Sequence, residues 1–356
     1  MDLIKIKLGE LESFCNSSLF RQFPVKPISP LRVEAYLHNP RAQTEDVVLY
    51  MFVEKNELFA FRTILPDFIQ FQNRTVRFGW CSGVWVNPKH RGQKLSLILL
   101  KNVLTDWNEK IMFTNYNKSS ESINLMTHKF KILKERTGAR FYLYPNLNEI
   151  YQNRKGYKWL RLILPFLSVG ISAVSFFKLL IRKDSLIESS YTELPTFDQE
   201  CKSFLKKYPD SFFNRKEQEL EWIIQYPWIT QSEYSDFIYP FSYANVSHTL
   251  KITKIIEKEI FVGFFVYTII NSKMKVLYYF IEEGKLRLLI DIVSRIARKN
   301  KIEYLTILES QIAGLLKKSN TFAFSKDFTS NIYSTLDVTS DCNQMIFDGD
   351  GDNCFT

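Results

Sequence analysis

Hydrophobic and polar residues follow two regular spacings in the first half of the chain. Runs rich in β-branched and aromatic residues predict strands, and apolar positions that recur every three or four residues predict helices. The predicted elements are a helix at 30–38, strands at 47–53, 58–65 and 75–86, a helix from Leu95, a strand at 110–115, a helix at 119–129 and a strand at 140–144. This order predicts an α/β (α+β) fold with a mixed sheet, in which the strand after the Leu95 helix runs parallel to the strand before it.

The second half of the chain shows a similar order of elements. It predicts helices at 197–208 and 216–226, strands at 237–243, 251–256, 261–270 and 274–280, a helix at 286–297, a strand at 304–308 and a helix at 310–317. Because one order that occurs twice in a chain indicates an internal repeat, we expect tandem α/β modules. The expected divisions are residues 1–148 for the first module, 149–193 for a hydrophobic connecting helix region and 194–356 for the second module.

An uncharged stretch, residues 162–177, separates the two halves. Basic residues flank it on both sides, at Lys158, Arg161, Lys178, Arg182 and Lys183. A helix that spans a bilayer needs about 20 apolar residues, and this stretch has 16 before Lys178. The pattern therefore favours a buried helix between the modules, with an interfacial helix on anionic lipid and a membrane span as the alternatives.

The composition of the 356 residues is that of a folded protein with a basic surface. Hydrophobic residues make up 46% of the chain and aromatic residues 15%, which argues against disorder. The net charge of +9 predicts attraction to polyanions, namely nucleic acid, anionic lipid or a phosphorylated cofactor such as coenzyme A (CoA). Because the lysines are scattered and the sequence has no arginine-rich arm or zinc-finger spacing, nucleic acid is the least favoured of the three.

The five cysteines are widely spaced and form no Cys-x-x-Cys pair. An odd number in this pattern fits neither a disulfide framework nor a zinc site, so no metal is expected. The first residues alternate charged and apolar side chains and contain no signal-peptide core. We therefore expect a cytoplasmic protein, with peripheral contact between residues 158–183 and an anionic membrane as a further expectation.

The connection between the third strand and the Leu95 helix carries the candidate chemistry. Residues 87–94 form a basic loop, Asn-Pro-Lys-His-Arg-Gly-Gln-Lys. A helix N-terminus offers unsatisfied N–H groups and the positive end of the helix dipole, and successive loop amides can surround an anion. The sequence therefore predicts a phosphate-binding site to which Arg91 and Lys94 add positive charge.

Residues 86–96, Val-x-Pro-x-x-Arg-Gly-x-x-Leu-Ser, resemble the acyl-CoA pyrophosphate loop of the GNAT superfamily of N-acyltransferases. The usual loop reads Arg-Gly-x-Gly-x-Gly/Ala, whereas this chain has Lys94 and Ser96 at the second and third small positions. The resemblance covers about residues 1–148. The second module is then expected to be degenerate, because Glu282 and Glu283 follow its strand at 274–280 in place of a basic loop. The residues implied for acyl-CoA binding are Val84, Trp85, Val86, Arg91, Gly92, Gln93, Lys94, Leu95, Ser96 and Asn117.

The resemblance also implies how the reaction proceeds. The strand before the loop separates from its parallel neighbour, pantetheine lies in the gap, and a backbone N–H of that strand polarises the thioester carbonyl. Gly83 is the candidate for a bulge that opens the sheet. The tyrosine acid of the family would fall on residues 124–126, which hold no tyrosine. Tyr116 and His128 are therefore the candidate catalytic residues, and a water chain is the candidate base.

Three functions are compatible with these residues. The simplest is an acyl-CoA-dependent N-acyltransferase that uses acetyl-CoA and an unidentified amine. One alternative is a GNAT-like module that binds CoA or an anionic surface without turnover. The other is a peptidyltransferase that resembles the tandem-GNAT enzymes using aminoacyl-tRNA.

Carboxylates recur at every second residue from Asp348 to Asp352, near the C-terminus. An EF-hand loop would need glycine where Asn353 stands and a glutamate beyond the last residue, so calcium is not expected. The segment predicts a flexible acidic tail, or a group of carboxylates that face the cleft and hold a cationic amine.

Overall fold

The computed structural model describes the chain except residues 73, 116–117, 148–150, 152–161, 182–188, 232–237, 242, 245–246, 320, 339–343 and 353–356. Its strands, in chain order, are β1 (Asp2–Lys7), β2 (Val47–Glu54), β3 (Glu57–Phe71), β4 (Arg74–Val86), β5 (Ile111–Thr114), β6 (Lys131–Tyr142), β7 (Ser189–Leu194), β8 (Thr230–Gln231), β9 (Tyr243–Ala244), β10 (His248–Glu257), β11 (Ile260–Ile270), β12 (Lys273–Ile281), β13 (Tyr304–Ile307) and β14 (Phe324–Ser334).

The α-helices formed by the described residues are α1 (Leu11–Cys15), α2 (Ser18–Gln22), α3 (Pro30–Leu37), α4 (Leu95–Asp106), α5 (Lys118–Leu125), α6 (Leu164–Ile181), α7 (Gln199–Lys207), α8 (Glu217–Gln225), α9 (Leu286–Lys299) and α10 (Ser310–Lys318). Together the strands and helices form a mixed α+β structure, as the sequence predicts.

The first of two compact units consists of Met1–Glu135, Pro209–Asn245 and Ser330–Thr356. The strand order of its sheet is β1-β2-β3-β4-β5-β14. Strands β1 to β4 form an antiparallel meander, β4 and β5 run parallel, and β14 pairs antiparallel with β5. The predicted meander and the parallel crossover through α4 are therefore confirmed.

Helix α4 packs on this sheet through its apolar face. Leu99, Leu100 and Val103 are fully buried against residues of β2 and β3 such as Tyr50 and Ile64. Burial of one such side chain stabilises the folded state by about 1.5–3 kcal/mol. This packing fixes the helix, so its N-terminus stays beside the end of β4.

The second unit consists of Arg136–Tyr208 and Val246–Thr329. Strands β7, β10, β11 and β12 are antiparallel neighbours, β12 and β13 run parallel, and β13 pairs with β6. Helix α9 connects β12 to β13, and most of its leucine, isoleucine and valine side chains are buried. A meander, a helix and a parallel strand thus occur in the same order as in the first unit.

The two units interleave along the chain, whereas the sequence predicts three consecutive segments. Residues 209–245 belong to the first unit because their apolar side chains pack there. For example, the rings of Phe213 and Trp80 lie 5.2 Å apart between centroids. Contacts between residues so distant in sequence leave no periodic pattern from which they could be predicted.

Several predicted boundaries are wrong. Strands β1 and β14 have no counterpart among the predicted elements, and β6 begins at Lys131 rather than at 140. Lysine and glutamate recur through the first half of β6 and weaken its alternation. Helix α5 ends at Leu125, before the predicted 129, because His128 has a left-handed backbone with φ of 56°. The predicted strand at 237–243 falls partly on residues outside the described ones.

The prediction of a flexible acidic tail is wrong as far as Asp352. Ile346 and Phe347 are buried in the first unit, and Asp350 and Asp352 are also buried there. The Phe347 N–H donates to the Asp350 carboxylate at 2.8 Å, which closes a turn. The segment is therefore part of the core of this unit.

Helix α6 covers most of the uncharged stretch between the predicted modules. Among the described residues, none of the helices combines the length and the apolar character that crossing a bilayer requires. The expected burial of this stretch is wrong for its first half, since Leu162, Phe166 and Val169 are 82%, 78% and 69% exposed.

Candidate functional site

Strand β4 contains a β-bulge shortly before the basic loop. Thr63 of β3 pairs with Gly83, and the next residue, Ile64, pairs with Cys81. Ser82 is therefore the extra residue of the bulge. The bulge predicted at Gly83 is present, one residue earlier, and it bends the strand where the sheet opens.

Strand β4 separates from β5 beyond this bulge. Parallel pairing of the two strands is confined, among the described residues, to Gly79 and Trp80 of β4. Residues 81–86 are each partly exposed. Because alternate main-chain groups of a paired strand point away from its partner, this edge offers N–H and C=O groups to a ligand. Val84, Trp85 and Val86, which the resemblance assigns to pantetheine, lie on this edge.

The basic loop has an open backbone. The Asn87 side chain accepts a hydrogen bond from the Lys89 N–H at 3.1 Å and fixes a 3₁₀ turn at its start. Gly92 has φ of 89°, and a Cβ there would meet nothing within 4 Å. Lys94 has φ of 58° and ψ of 18°, so it adopts the left-handed conformation that glycine accommodates most readily. Residues 91–94 are all exposed.

His90 attaches this loop to β3. Its ring stacks on Phe59, with 3.9 Å between the centroids and 18° between the planes. The amide nitrogen of Gln93 lies 3.5 Å from the Nδ1 of His90. These contacts hold the loop in place and leave Arg91 and Lys94 exposed.

Helix α4 begins without a side-chain cap. The carbonyl of Lys94 accepts hydrogen bonds from the N–H groups of Leu97 and Ile98 at 3.0 and 3.1 Å. The N–H groups that precede these in the first turn have no acceptor within a helix. Leu95 and Ser96 are buried, so the first turn is anchored in place. The main chain and the helix dipole can therefore hold an anion at this end.

A buried arginine lies beneath the first turn of α4. Arg62 on β3 is 1% exposed, and its Nη2 donates to the Ser96 hydroxyl at 3.2 Å and to the Asn124 carbonyl at 3.1 Å. The thiol of Cys81 neighbours this guanidinium. Burial raises the pKa of that thiol, although the charge of Arg62 acts in the opposite direction. Arg62 was not among the predicted site residues, although its charge interrupts an apolar strand face between Ala60 and Ile64.

Ser82 contacts a second buried cluster. Its hydroxyl donates to the Asp352 carboxylate at 2.8 Å and accepts a hydrogen bond from Arg32. Arg32 also donates to the hydroxyls of Tyr239 and Tyr36 at 2.9 and 2.7 Å. Burial opposes the charge of Arg32, but Tyr239, Tyr36 and Asp352 raise its pKa above the ordinary value, so it stays charged. The cluster was not predicted because its members are far apart in sequence.

The two predicted catalytic residues are Tyr116 and His128. Tyr116 and Asn117 lie outside the described residues. His128 is exposed in the turn after α5, and its neighbours Thr127 and Lys129 line a surface cavity beside the last turns of α4. The basic loop lies at the opposite end of α4. The catalytic roles of Tyr116 and His128 stay predictions.

Comparison with known proteins gives a relationship in structure but none in sequence. No family model and no curated protein sequence matches the chain. The structure is similar to N-myristoyltransferase from Saccharomyces cerevisiae with bound myristoyl-CoA, at a TM-score of 0.51 and 11% identity, over 94% of this chain and 82% of that one. It is also similar to a probable N-acyltransferase of unknown function from Enterococcus faecalis V583, at a TM-score of 0.50 and 9% identity, over 94% and 71% of the two chains.

Both similarities extend over 94% of this chain. The chain therefore has the fold of the GNAT superfamily of N-acyltransferases.

Proposed function

We propose that this chain is an acyl-CoA-dependent N-acyltransferase. The observation that carries the proposal is the uncapped N-terminus of α4 behind an open basic loop, next to the unpaired edge of β4. The helix N-terminus fits a pyrophosphate, and the strand edge fits an extended pantetheine arm that adds to the sheet as a strand would. The myristoyl-CoA bound to the yeast N-myristoyltransferase supports an acyl-CoA as cosubstrate. Acetyl-CoA is the simplest one.

The pyrophosphate would lie against residues 91–96. The main-chain N–H groups of this segment would bind its oxygens, and the exposed Arg91 and Lys94 would add charge-assisted contacts. The open space around Gly92 leaves room for the phosphates to approach the backbone.

The transfer would take place at the edge formed by Val84, Trp85 and Val86. A backbone N–H there would bind the thioester oxygen more strongly as it becomes an oxyanion. The amine nitrogen attacks the carbonyl carbon, the C–S bond breaks, and CoA leaves with the electron pair on sulfur. The proton released by the amine passes to water. The acceptor is an amine of unassigned structure.

Calorimetric titration with acetyl-CoA and CoA tests the cosubstrate. We expect micromolar binding to the full chain and a loss of at least about tenfold in Arg91→Glu, because a charge-assisted contact becomes a repulsion. Arg74→Glu is the matched control, since Arg74 is exposed at the far end of β4. Absence of binding to the unmodified chain, or equal losses in both variants, would reject the proposal.

Turnover is tested separately, by release of the CoA thiol over a panel of amines. Thiol release that requires an amine supports a transferase. Binding without release by any amine would instead support the non-catalytic module. Transfer from aminoacyl-tRNA without CoA binding would support the peptidyltransferase.

We propose further that the second unit is a degenerate copy of the first. Its meander, helix and parallel strand keep the same order, but Glu282 and Glu283 stand between β12 and α9, where they would repel a pyrophosphate. One CoA should therefore bind per chain in the same calorimetric titration. A stoichiometry of two would contradict this proposal.

We also propose that the exposed face formed by Leu162, two residues before α6, and by Phe166 and Val169 of α6 contacts an anionic lipid surface. These side chains are 69% to 82% exposed, which is costly in water and favourable in the interface of a bilayer. Residues 150–183 hold seven basic residues and no acidic one. This charge complements anionic headgroups, and therefore favours lipid over a second copy of the same basic chain.

Vesicle sedimentation tests this contact. The chain should sediment with phosphatidylcholine vesicles that contain phosphatidylglycerol, and stay in solution with phosphatidylcholine alone. The double variant Phe166→Asp and Val169→Asp should stay in solution with both. Ile260→Asp, which alters another exposed apolar residue, is the control and should behave like the unmodified chain. If the unmodified chain does not sediment with either kind of vesicle but forms a dimer, and the double variant is a monomer, the face instead mediates self-association.

A further inference from the structure

Arg62 occupies a core position of β3. Ala60 and Ile64, two residues before and after it, lie on the same face of the strand and belong to the hydrophobic cluster that α4 covers. Arg62 is as buried as these neighbours, at 1% exposure. A guanidinium at such a position is unfavourable unless an anion compensates its charge.

Among the described residues, the hydrogen-bond acceptors of Arg62 are neutral. They are the Ser96 hydroxyl and the Asn124 carbonyl, whereas the Nε is buried with no acceptor among the described residues. Cys81 is a titratable neighbour of Arg62, and burial raises the pKa of its thiol, so Cys81 stays neutral at physiological pH. The charge of Arg62 is thus available to an anion from outside the chain.

Two further buried arginines of the first unit show the contrast. Arg41 binds the carboxylates of Asp67 and Glu219 at 2.9 and 2.8 Å, and Arg215 binds Asp67 at 2.6 Å. Each is compensated within the protein. Among the described residues, the direct hydrogen-bond acceptors of Arg62 include no such carboxylate.

We propose that Arg62 binds the thiolate of coenzyme A and is a catalytic residue, an inference that rests on the proposed function. Arg62 is the cross-strand partner of Val84, on the open edge of β4, and it is bonded to Ser96 in the first turn of α4. A pantetheine arm that starts at this turn and follows β4 passes this point. A thiolate and a guanidinium are both weakly hydrated. A thiolate therefore suits this buried arginine better than a strongly hydrated phosphate does.

This role supplies what the missing tyrosine would have provided. When the C–S bond breaks, the electron pair moves to sulfur, and the guanidinium stabilises that charge by charge-assisted hydrogen bonds. Arg62 donates no proton, because its guanidinium is not deprotonated in proteins. The amine proton passes to water, and CoA takes up a proton from solvent after release.

The test compares CoA with desulfo-CoA, which lacks the sulfur atom, by calorimetric titration of the full chain. A bound thiolate makes CoA affinity rise with pH, by up to about tenfold per unit below the ordinary thiol pKa of about 8.5, and level off above it. Desulfo-CoA affinity should not change over the same range. In Arg62→Met the two ligands should bind alike and independently of pH.

Arg62→Lys keeps the charge but loses the several N–H donors of the guanidinium, so it should retain part of the pH dependence of CoA affinity. Arg77→Met is the matched control on β4 and should retain all of it. Thermal unfolding of each variant without ligand confirms that it folds. Equal, pH-independent affinities in the unmodified chain would overturn the role of Arg62 and leave the proposed function intact. Absence of binding of both ligands would overturn both.

Discussion

The hydroxyl of Ser82 donates a hydrogen bond to the carboxylate of Asp352 at 2.8 Å, across 270 residues of sequence. The bulge residue of β4 is thereby bonded to the segment near the C-terminus, and its hydroxyl also accepts a hydrogen bond from the buried Arg32. The shape of the strand edge proposed to bind pantetheine therefore depends on residues far from the basic loop.

Replacement of Ser82 by alanine should destabilise the protein. The change removes one partner each from Asp352 and Arg32 in a buried cluster, which costs about 1–3 kcal/mol. Urea unfolding measures this loss. Ser13→Ala, at an exposed serine that donates to the Glu10 carbonyl, should change the stability by less than about 0.5 kcal/mol. If Ser82→Ala loses no more stability than Ser13→Ala, the cluster contributes little to the stability of the protein.

Replacement of Asp67 by asparagine should have a larger effect. Asp67 accepts hydrogen bonds from Arg41, Arg215 and Trp80 and is 1% exposed. Asparagine leaves both guanidinium groups short of a counter-charge, so we expect a loss of about 3–5 kcal/mol in urea unfolding. Glu45→Gln, which breaks an exposed pair with Lys7, should cost less than about 1 kcal/mol.

The same carboxylate should contribute to acid unfolding. Burial alone would raise the pKa of Asp67, but the charges of Arg215 and Arg41 outweigh it and hold the pKa below its ordinary value of 3.8. The stabilisation is thus complete above that value and is lost as the pH falls through the lower native pKa. The stability difference between the unmodified chain and Asp67→Asn should narrow below about pH 4. A constant difference would contradict this.

Lys94→Gly should separate stability from ligand affinity. A lysine in the left-handed region is strained by about 1 kcal/mol relative to glycine, so the variant should unfold at an equal or higher temperature. It also loses a cation from the proposed phosphate site, and CoA affinity should fall by about threefold to tenfold in calorimetry. Unchanged affinity would exclude Lys94 from the phosphate contacts.

His248 should make stability fall in mild acid. Burial lowers the pKa of this imidazole from 6.5 to about 4. Between these values the unfolded chain binds the additional proton, so the stability is lost as the pH falls from about 6.5 towards 4. The loss should be on the order of 2–3 kcal/mol, and His248→Gln should reduce it in urea unfolding at a series of pH values. An identical pH profile would contradict the assignment.

The sequence by itself determined the local elements and the place of the basic loop before a helix N-terminus. The alternation in β2 to β4 and the apolar face of α4 are properties of neighbouring residues, and they predict the meander, the crossover and the mixed sheet. The basic loop is likewise contiguous, so the main-chain N–H groups of residues 91–96 could be expected at a helix N-terminus. The bulge was predicted at Gly83 and lies one residue earlier, at Ser82.

Tertiary structure alone decided which distant residues complete the first unit. Asp352 reaches Ser82, and Arg62 meets Ser96 and Asn124, only because separate segments fold onto one sheet. Periodicity carries information over a few residues, whereas the pairing of buried charges depends on contacts across the whole chain. For this reason the acidic residues near the C-terminus were predicted to form a flexible tail, and Arg62, in a strand of apolar residues, was not predicted as a site residue.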